Sequence, residues 1–208
     1  MTKINRPKAL IRKVFRDRAK GKDLRDVSVP PFSSWPEEWQ DRVRRARRIA
    51  AYMPLPDELS LRNLRMNQKQ YEDAGKLCFP KVEGENLRFF LADEKEQFRT
   101  GAFHIEEPDE SCVEVMPEEI DIVLIPAVAY GKDGIRIGRG KGFYDRFISQ
   151  IFGSCGKIEG KYLIGVIPQD RILGEVPSDS WDLRVDALLT EESLIDLTRS
   201  RETEEEKK

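Results

Sequence analysis

The sequence has 208 residues, of which 39% are hydrophobic and 36% are charged, and its formal net charge is −2. This length suits one well-buried domain and is marginal for two. The near balance of charge disfavours a dedicated nucleic-acid-binding domain, which is usually basic as a whole. The sequence contains no apolar run of about eighteen residues, the length that a membrane-spanning helix needs. Its first residues also lack the apolar core of a secretory signal.

Cysteine and histidine are scarce and scattered. The three cysteines, at positions 78, 112 and 155, show no Cys-x-x-Cys spacing, which indicates a reducing compartment and no thiolate zinc site. We therefore expect a cytoplasmic protein. His104 is the only histidine, so a histidine zinc cluster is excluded, and Ser-His-Asp chemistry would have to run through this residue.

Helix-like and strand-like segments alternate along the chain. The first predicted helix spans 7–20, with Leu10 and Val14, joined by Ala9 and Ile11, on its inner face. A turn-rich connector follows at 27–36. The further predicted helices lie at 37–48, 56–74, 141–152 and from 192 onward. The predicted strands lie at 49–53, 77–82, 87–91, 120–128, 162–167 and 185–189.

This alternation indicates an α/β fold with three layers, in which a mostly parallel sheet carries helices on both faces in a Rossmann-like arrangement. We expect residues 1–200 to form one domain and the charged tail at 201–208 to be disordered. Basic residues cluster within 1–25 and again at 42–48. Such a cluster could form a local patch for RNA even in a protein of balanced charge.

The segment 120–149 carries the clearest functional signal. Its apolar run at 122–125 predicts a strand buried on both faces of a parallel sheet. A loop then places Gly138, Gly140 and Gly142 at every second position, where the missing Cβ atoms let backbone N–H groups approach a ligand closely. Arg139 and Lys141 alternate with these glycines. The helix that follows presents its positive dipole end, so the segment predicts a polyanion site, most simply for a nucleoside triphosphate.

Other interpretations of this loop stay open at this point. It matches neither the Walker pattern nor Gly-x-Gly-x-x-Gly, and a loop of this composition can also be a solvated hairpin or an RNA-contacting segment. Its context favours phosphate binding, because a strand precedes it and a helix follows. Asp145 stands in the first turn of that helix, and an acid beside a phosphate loop usually holds a metal ion.

The residues 136–146, RIGRGKGFYDR, preceded by IPAVAY at 125–130, closely resemble the signature of the 5-formyltetrahydrofolate cyclo-ligase family. Shorter matches occur in the same order along most of the chain. They are Lys8 and Arg12 as Lys-x-x-x-Arg, Tyr52-Met53-Pro54 with Asp57-Glu58, GAFHIEEP at 101–108, Val176-Pro177, and Asp182 with Val185-Asp186. The resemblance implies the cyclo-ligase type of α/β fold.

The resemblance also implies a reaction. In that family 5-formyltetrahydrofolate is closed to 5,10-methenyltetrahydrofolate, with ATP as co-substrate, Mg²⁺ as cofactor, and ADP and phosphate as products. The formyl oxygen attacks the γ-phosphoryl group, a folate nitrogen then closes the ring, and phosphate departs. Such phosphoryl transfer asks the protein mainly for positioning and charge neutralisation. We expect ATP and a reduced folate as the partners of a monomer, with no membrane and no nucleic acid.

By the same resemblance, individual residues receive roles. The expected catalytic residues are Arg136, Arg139 and Lys141. The expected ATP-binding residues are these three with Lys8, Arg12, Gly138, Gly140, Gly142 and Tyr144. The expected substrate-binding residues are Met53, Glu58, Phe103 and Phe143, and the expected metal ligands are Asp145 and Asp182.

Each of these roles has a structural alternative. Lys8 and Arg12, four residues apart, project from one face of a helix, and that face could simply be solvated. Glu58 suits the paired N–H donors of a pterin, but an acid also favours a helix N-terminus without any ligand. Asp182 could cap a turn or a helix, and Phe143 or Tyr144 could be ordinary core residues.

The sequence departs from the family pattern at two places. Gly131 stands where the family usually has an aspartate, and Arg171 stands where it has a glutamine. Neither change removes a phosphate or metal group. Both leave room for a paralogue that binds ATP and acts on another substrate, and an RNA-associated protein that uses the 42–48 cluster is a further alternative.

Overall fold

The computed structural model describes residues 6–67, 76–92, 97–101, 105–152, 158–179 and 182–198. Its helices are α1 (Arg6–Ala19), α2 (Glu37–Arg45), α3 (Arg62–Asn67) and α4 (Phe143–Phe152). The strands are β1 (Arg48–Ala50), β2 (Lys76–Glu83), β3 (Asn86–Leu91), β4 (Phe98–Thr100), β5 (Glu106–Pro108), β6 (Val113–Val115), β7 (Ile122–Pro126), β8 (Ala129–Gly131), β9 (Arg136–Ile137), β10 (Tyr162–Val166), β11 (Ile172–Leu173), β12 (Ala187–Leu189) and β13 (Leu194–Asp196). Short 3₁₀ turns lie at Phe32–Ser34, Pro117–Glu119 and Gln169–Arg171.

The main sheet has eight strands in the order β13-β12-β10-β7-β1-β2-β3-β6. The five inner strands from β12 to β2 run parallel. The other three, β13 at one edge and β3 and β6 at the other, pair in antiparallel fashion. The predicted mostly parallel sheet is therefore confirmed.

Both faces of the sheet are covered, because successive residues of the buried strands point to opposite sides. On β7, Leu124 packs with Trp39 of α2 on one face. Its neighbour Val123 packs with Phe147 of α4 on the other face. Burial of each such side chain contributes about 1.5–3 kcal/mol. These two apolar layers confirm the predicted three-layer α/β architecture.

A small second sheet of three strands leads into the glycine-rich loop. Strand β8 follows β7 directly and lies between β11 and β9. Helix α1 docks on this sheet, with Phe15 buried against Ala129 and Ile137. The loop then runs from β9 to the start of α4, so the small sheet and α1 together fix its position.

The predicted inner face of α1 is confirmed for Ile11, which is half-buried and packs against the cluster around Phe15, and is wrong for the other residues. Leu10 is 62% exposed and Val14 is 39% exposed, and Ala9 is exposed as well. The other inward side chains are Lys8 and Phe15. The apolar pattern misplaced the face because a buried lysine compensated by a distant acid cannot be recognised from local periodicity.

Two other predicted helices also differ from the structure. The third helix begins only at Arg62, because residues 54–61 form turns whose Ser60 pairs with Ser28 as an isolated bridge. Its predicted continuation at 68–74 lies outside the described residues. The segment from 192 forms β13 rather than a helix, because the side chain of Thr190 accepts hydrogen bonds from the backbone N–H groups of Glu192 and Ser193. This turn sends the chain back along β12.

The predicted tail at 201–208 lies outside the described residues, as does Phe103. The expectation of one domain over 1–200 stays a prediction. Within the part of the chain that the structure describes, the helices are too short or too polar to cross a membrane.

Candidate functional site

A cavity of about 330 Å³ opens beside the residues that follow β1 and end β7. Ligands of open α/β sheets bind at this place, outside the carboxyl ends of the parallel strands. One wall is apolar and is formed by Tyr52, Met53, Leu55, Val82, Ile105 and Phe143 among others. The charged part of the lining is formed by Glu58, Arg136, Arg139, Lys141 and Asp145. The cavity therefore offers one apolar and one ionic surface to a single ligand or to two adjacent ligands.

Glycine is required in the loop for two different physical reasons. Gly140 and Gly142 have φ of +94° and +72°, a region that side chains with a Cβ rarely adopt. At Gly138 the backbone is ordinary, but an added Cβ would lie 2.6 Å from Nη1 of Arg136. The loop can therefore follow this path only as a glycine-rich sequence, and it ends at the N-terminus of the ten-residue helix α4.

Arg136 ties the end of β7 to the start of α4. Its Nε and Nη2 atoms donate to the carbonyl oxygen of Pro126 at 3.3 and 3.1 Å. Its Nη1 atom donates to Oδ1 of Asp145 at 3.3 Å, and its guanidinium lies 5.3 Å from the ring centre of Tyr144. Only 9% of the Arg136 side chain is exposed, compared with 60% for Asp145. Arg136 is thus fixed in place, whereas Asp145 faces solvent at the rim.

The two predicted cations of helix α1 connect it to different parts of the chain, Arg12 to the glycine-rich loop and Lys8 to the segment at 179–182. Arg12 Nε donates to the carbonyl oxygen of Gly138 at 2.8 Å. Lys8 is 6% exposed and forms an ion pair with Asp182 and a longer one, of 3.4 Å, with Asp179. The four-residue spacing does place both cations on one face of the helix. For Lys8 the alternative of a solvated basic face is wrong.

Glu58 lies in a tight turn below the cavity. Its Oε2 accepts a hydrogen bond from the backbone N–H of Leu55 at 3.1 Å, and its Oε1 accepts two from Arg139 at 3.2 and 3.1 Å. Burial raises the pKa of Glu58 above its usual range, and the nearby Arg139 only partly offsets this. Arg139 also pairs with Asp57 at 2.6 Å. The carboxylate of Glu58 is thus preorganised by its surroundings and held by a cation of the loop.

The structure brings most of the predicted site residues to the cavity. Its lining includes Met53, Glu58, Arg136, Arg139, Gly140, Lys141, Gly142, Phe143, Tyr144 and Asp145. The other four, Lys8, Arg12, Gly138 and Asp182, are not part of this lining. Arg12 contacts Gly138, and Lys8 contacts Asp182. Phe103 falls outside the described residues, so its role stays a prediction.

The two predicted metal ligands each have a basic partner. Asp182 is paired with Lys8 and also accepts a hydrogen bond from the backbone N–H of Asp179. Asp145 is paired with Arg136. Across the described ranges, the structure contains no group of three or more His, Cys, Asp or Glu side chains suited to a metal ion. Assigning a metal to these two aspartates stays a prediction.

Three residues at or beside the site were not predicted from sequence. Glu107 lines the cavity, is 8% exposed, and accepts a hydrogen bond from the backbone N–H of Val82 at 3.3 Å. Its carboxylate occupies the space in which a Cβ of Gly101 would stand. Tyr52 donates its buried hydroxyl to the carbonyl oxygen of Leu59 at 2.7 Å. The third residue is Arg171, which contacts Asp57 at 3.4 Å.

The departure at Gly131 is partly compensated within the chain. A Cβ at Gly131 would collide with Oδ1 of Asp133, so the carboxylate of Asp133 occupies the space of a side chain at 131. The same oxygen accepts a hydrogen bond from the backbone N–H of Ile135 at 3.2 Å. A carboxylate is thus retained in this hairpin, two residues further along the chain.

The basic cluster at 42–48 is largely neutralised by the chain itself. Arg42, Arg44 and Arg47 form ion pairs with Glu38, Asp41 and Asp121 in turn. The guanidinium of Arg42 also lies over two aromatic rings of the core, 4.4 Å from the ring centre of Trp39 and 4.3 Å from that of Tyr162. These contacts give the cluster a structural role and weaken the RNA-binding alternative.

The fold and the cavity together define a three-layer α/β protein in which a glycine-rich cationic loop and an apolar wall line one cavity. Comparison with known proteins gives a closer assignment. The model of the 5-formyltetrahydrofolate cyclo-ligase family matches residues 38–191. The chain therefore belongs to the 5-formyltetrahydrofolate cyclo-ligase family, as its signature predicted.

Individual relatives agree with this assignment. A probable 5-formyltetrahydrofolate cyclo-ligase of Schizosaccharomyces pombe is 26% identical over 167 residues, which cover 76% of this chain and 79% of that protein. The 5-formyltetrahydrofolate cyclo-ligase of Mus musculus is 24% identical, with 74% and 77% covered. The solved structure of 5,10-methenyltetrahydrofolate synthetase from Aquifex aeolicus superposes with a TM-score of 0.71 at 29% identity, covering 91% of this chain and 92% of that one.

Proposed function

We propose that this protein is a 5-formyltetrahydrofolate cyclo-ligase, which uses ATP and Mg²⁺ to form 5,10-methenyltetrahydrofolate and releases ADP and phosphate. The observation that carries the proposal is the meeting, in one cavity, of the cationic glycine-rich loop with an apolar wall that holds a buried carboxylate, Glu58. The loop suits phosphate groups, whereas the wall and the carboxylate suit a flat heterocycle with N–H donors. Membership of the family supports the pairing of these two ligands.

The phosphate side of the site is built from the loop and α4. Arg139 and Lys141 line the cavity and would neutralise the γ-phosphoryl group as the formyl oxygen attacks it. The backbone N–H groups of the loop and the positive end of α4 favour the same anion. Arg136 is held by Pro126, so it supplies a fixed charge. Lys8 and Arg12 would support the loop from behind and reach the nucleotide at its edge.

The folate side would be formed by the apolar part of the lining together with Glu58. Met53, Phe143 and Tyr52 supply apolar surface against which a pterin can pack. Glu58 would accept hydrogen bonds from the 2-amino group and the adjacent ring N–H, a pairing that is strong because the acceptor is charged. In the structure its Oε1 is held by Arg139. Substrate donors would therefore replace a guanidinium that moves to the phosphates.

The residues at the rim are suited to Mg²⁺. Asp145 offers hard carboxylate oxygens beside the loop, and Mg²⁺ is usually held by one or two carboxylates together with substrate phosphates. A complete protein cage of acids is therefore not needed. When bound, the ion would neutralise charge on the phosphate oxygens. Asp182 would contribute only if its pairing with Lys8 were rearranged.

The proposal is tested by turnover. Purified protein is mixed with Mg-ATP and 5-formyltetrahydrofolate, and the near-ultraviolet absorbance of the methenyl product is followed, with ATP-free and Mg²⁺-free controls. We expect growth only in the complete mixture, in a protein that acts as a cytoplasmic monomer. Glu58→Ala should raise the KM for folate first, by about 10²-fold, because the paired hydrogen bonds to a charged acceptor are lost. Unchanged folate saturation in this variant would contradict the role of Glu58.

A second candidate function is favoured by the two departures at Gly131 and Arg171. A paralogue with this site would bind Mg-ATP and act on another substrate. It predicts nucleotide binding without product growth in the same assay. The surroundings of Arg171 would then be the first place to look for the cause of the different substrate preference.

A further inference from the structure

Four charged side chains form a continuous series of ion pairs at one edge of the cavity. In order of contact they are Glu58, Arg139, Asp57 and Arg171. Nη2 of Arg139 lies 3.1 Å from Glu58 Oε1 and 2.6 Å from Asp57 Oδ1. Nη1 of Arg171 lies 3.4 Å from the other Asp57 oxygen, Oδ2. The carboxylate of Asp57 is thus held by two guanidinium groups, one on each oxygen.

The two arginines differ in their freedom to move. Arg139 lines the cavity, its side chain is 40% exposed, and it stands between two glycines of the loop. The side chain of Arg171 is 5% exposed and belongs to the 3₁₀ turn that follows β10. Among the described residues, Arg171 does not contribute to the cavity lining. The side chain of Arg139 can therefore rotate towards a ligand, whereas the side chain of Arg171 remains in its buried position.

Rotation of Arg139 towards an anion would remove a cation from two carboxylates that are largely shielded from water. The side chains of Asp57 and Glu58 are only 18% and 7% exposed, and an uncompensated carboxylate is costly in such a place. Glu58 faces the cavity, where donors of the substrate can replace the guanidinium. For Asp57, the other ion pair described is with Arg171.

We propose that Arg171 is a positioning residue, which keeps Asp57 compensated and thereby allows Arg139 to exchange its carboxylate partners for the phosphates of the nucleotide. The identity of the anion rests on the proposed function. A guanidinium suits this task because it stays charged even when it is buried. A glutamine at 171 would donate hydrogen bonds but would leave the charge of Asp57 to Arg139 alone.

The inference is tested by calorimetric binding of a non-hydrolysable ATP analogue with Mg²⁺ to the full chain. In Arg171→Gln, Asp57 should retain Arg139, and we expect the Kd of the analogue to rise about tenfold, within the range of couplings in one charged network. Arg171→Lys keeps the charge and should recover part of the affinity. Arg44→Gln, which removes an exposed arginine that is also paired with a single aspartate, should bind as the wild type does.

A double variant separates this role from simple packing. When Asp57 is neutral, its charge no longer retains Arg139, and the pairing of Arg139 with Glu58 is the same in both backgrounds. Asp57→Asn/Arg171→Gln should therefore bind the analogue within about twofold of Asp57→Asn alone. An equal loss of affinity from Arg171→Gln in both backgrounds would overturn the inference. So would wild-type affinity in Arg171→Gln itself.

Turnover distinguishes failure of the inference from failure of the proposed function. In an active enzyme, Arg171→Gln should raise the KM for ATP more than it lowers kcat. A wild-type protein that binds the analogue but forms no methenyl product contradicts the proposed function, and the binding series still decides the role of Arg171. A wild-type protein that binds no nucleotide overturns both.

Discussion

The two basic clusters of this chain, one on α1 and one at residues 42–48, are similar in sequence and differ in what their cations contact. On α1, Lys8 and Arg12 reach the segment at 182 and the glycine-rich loop. In the second cluster, Arg42 and Arg44 pair with acids of their own helix and Arg47 pairs with an acid beside β7. The number of cations therefore predicts neither function nor ligand. The two clusters are distinguished by the acid or carbonyl group that each cation contacts, which is known only from the structure.

The largest difference between the clusters is expected at Lys8. Lys8→Met removes this buried charge and should lower kcat/KM for ATP by about 10²-fold or more, which is the scale of losing one charge-stabilising group. The variant also leaves the carboxylate of Asp182 without its lysine. The measurement is steady-state turnover at varied ATP. Lys8→Met/Asp182→Asn removes both charges, so it should restore folding, as followed by thermal unfolding, without restoring activity. Full activity in the folded double variant would show that Lys8 stabilises the fold and has no role in the use of ATP.

Arg12→Ala is expected to have the next largest effect. Loss of its hydrogen bond to the carbonyl oxygen of Gly138 should loosen the loop and raise the KM for ATP about tenfold, because loop ordering then has to be supplied by the nucleotide. Lys13→Ala provides a matched control, since Lys13 is the exposed neighbour of Arg12 on the same helix. Equal effects of the two variants would show that only the overall charge of α1 matters.

Arg42→Ala should change stability and leave turnover unchanged. The variant loses the stacking of the guanidinium on Trp39 and Tyr162, which is worth about 1–2 kcal/mol of unfolding free energy. Urea unfolding measures this loss. Arg45→Ala, the exposed neighbour, is the control and should stay within about 0.5 kcal/mol of wild type. A fall in kcat/KM for Arg42→Ala in the folded protein would connect the second cluster to the site.

The smallest effect is a pH-dependent one at Arg47. Burial of Asp121 disfavours its charged form, but hydrogen bonds from Arg47 outweigh this and hold the pKa of Asp121 below its ordinary value of 3.8. A carboxyl with a lowered pKa stabilises the fold above its ordinary pKa, and this contribution is lost as the pH falls through the lowered value. Wild type should therefore exceed Arg47→Gln by about 0.2–1 kcal/mol at pH 5–7.

The check on this prediction is urea unfolding of both proteins between pH 7 and pH 3. The difference in unfolding free energy should stay constant above about pH 5 and shrink below the ordinary pKa of Asp121. A difference that persists at the lowest pH would mean that Arg47 stabilises the fold mainly through the hydrogen bond from its guanidinium to the carbonyl oxygen of Glu118, and not through the ion pair with Asp121.

Local patterns were sufficient to predict the centre of the fold. The apolar run of β7 and the glycines before α4 carry their structural requirements within a few residues, so strand, loop and helix were all placed close to their observed positions. Met53 and Glu58, which the family resemblance assigned to the substrate, also line the cavity, although the helix predicted to contain Glu58 begins only at Arg62. Where the prediction failed, as on the inner face of α1, the deciding partner lies far away in sequence.

Long-range ion pairs account for most of what the sequence could not predict at the site. Lys8 and Asp182 are separated by 174 positions, and Arg139 and Glu58 by 81. A buried charge looks like a surface charge until its counter-ion is known. Glu107 was missed for a related reason, since its place at the cavity depends on the space left by Gly101 and on the free N–H of Val82.

The pairing of Lys8 with Asp182 also has a consequence for the order in which the protein is synthesised. The ribosome makes Lys8 near the beginning of the chain, whereas its counter-ion follows only after the strands from β1 to β10 have all been translated. During this interval the two acids that pair with Lys8, Asp179 and Asp182, do not yet exist to fasten α1. Strands β12 and β13 of the main sheet also follow Asp182, so a nascent chain should complete its central sheet and fasten α1 at the same late stage of synthesis.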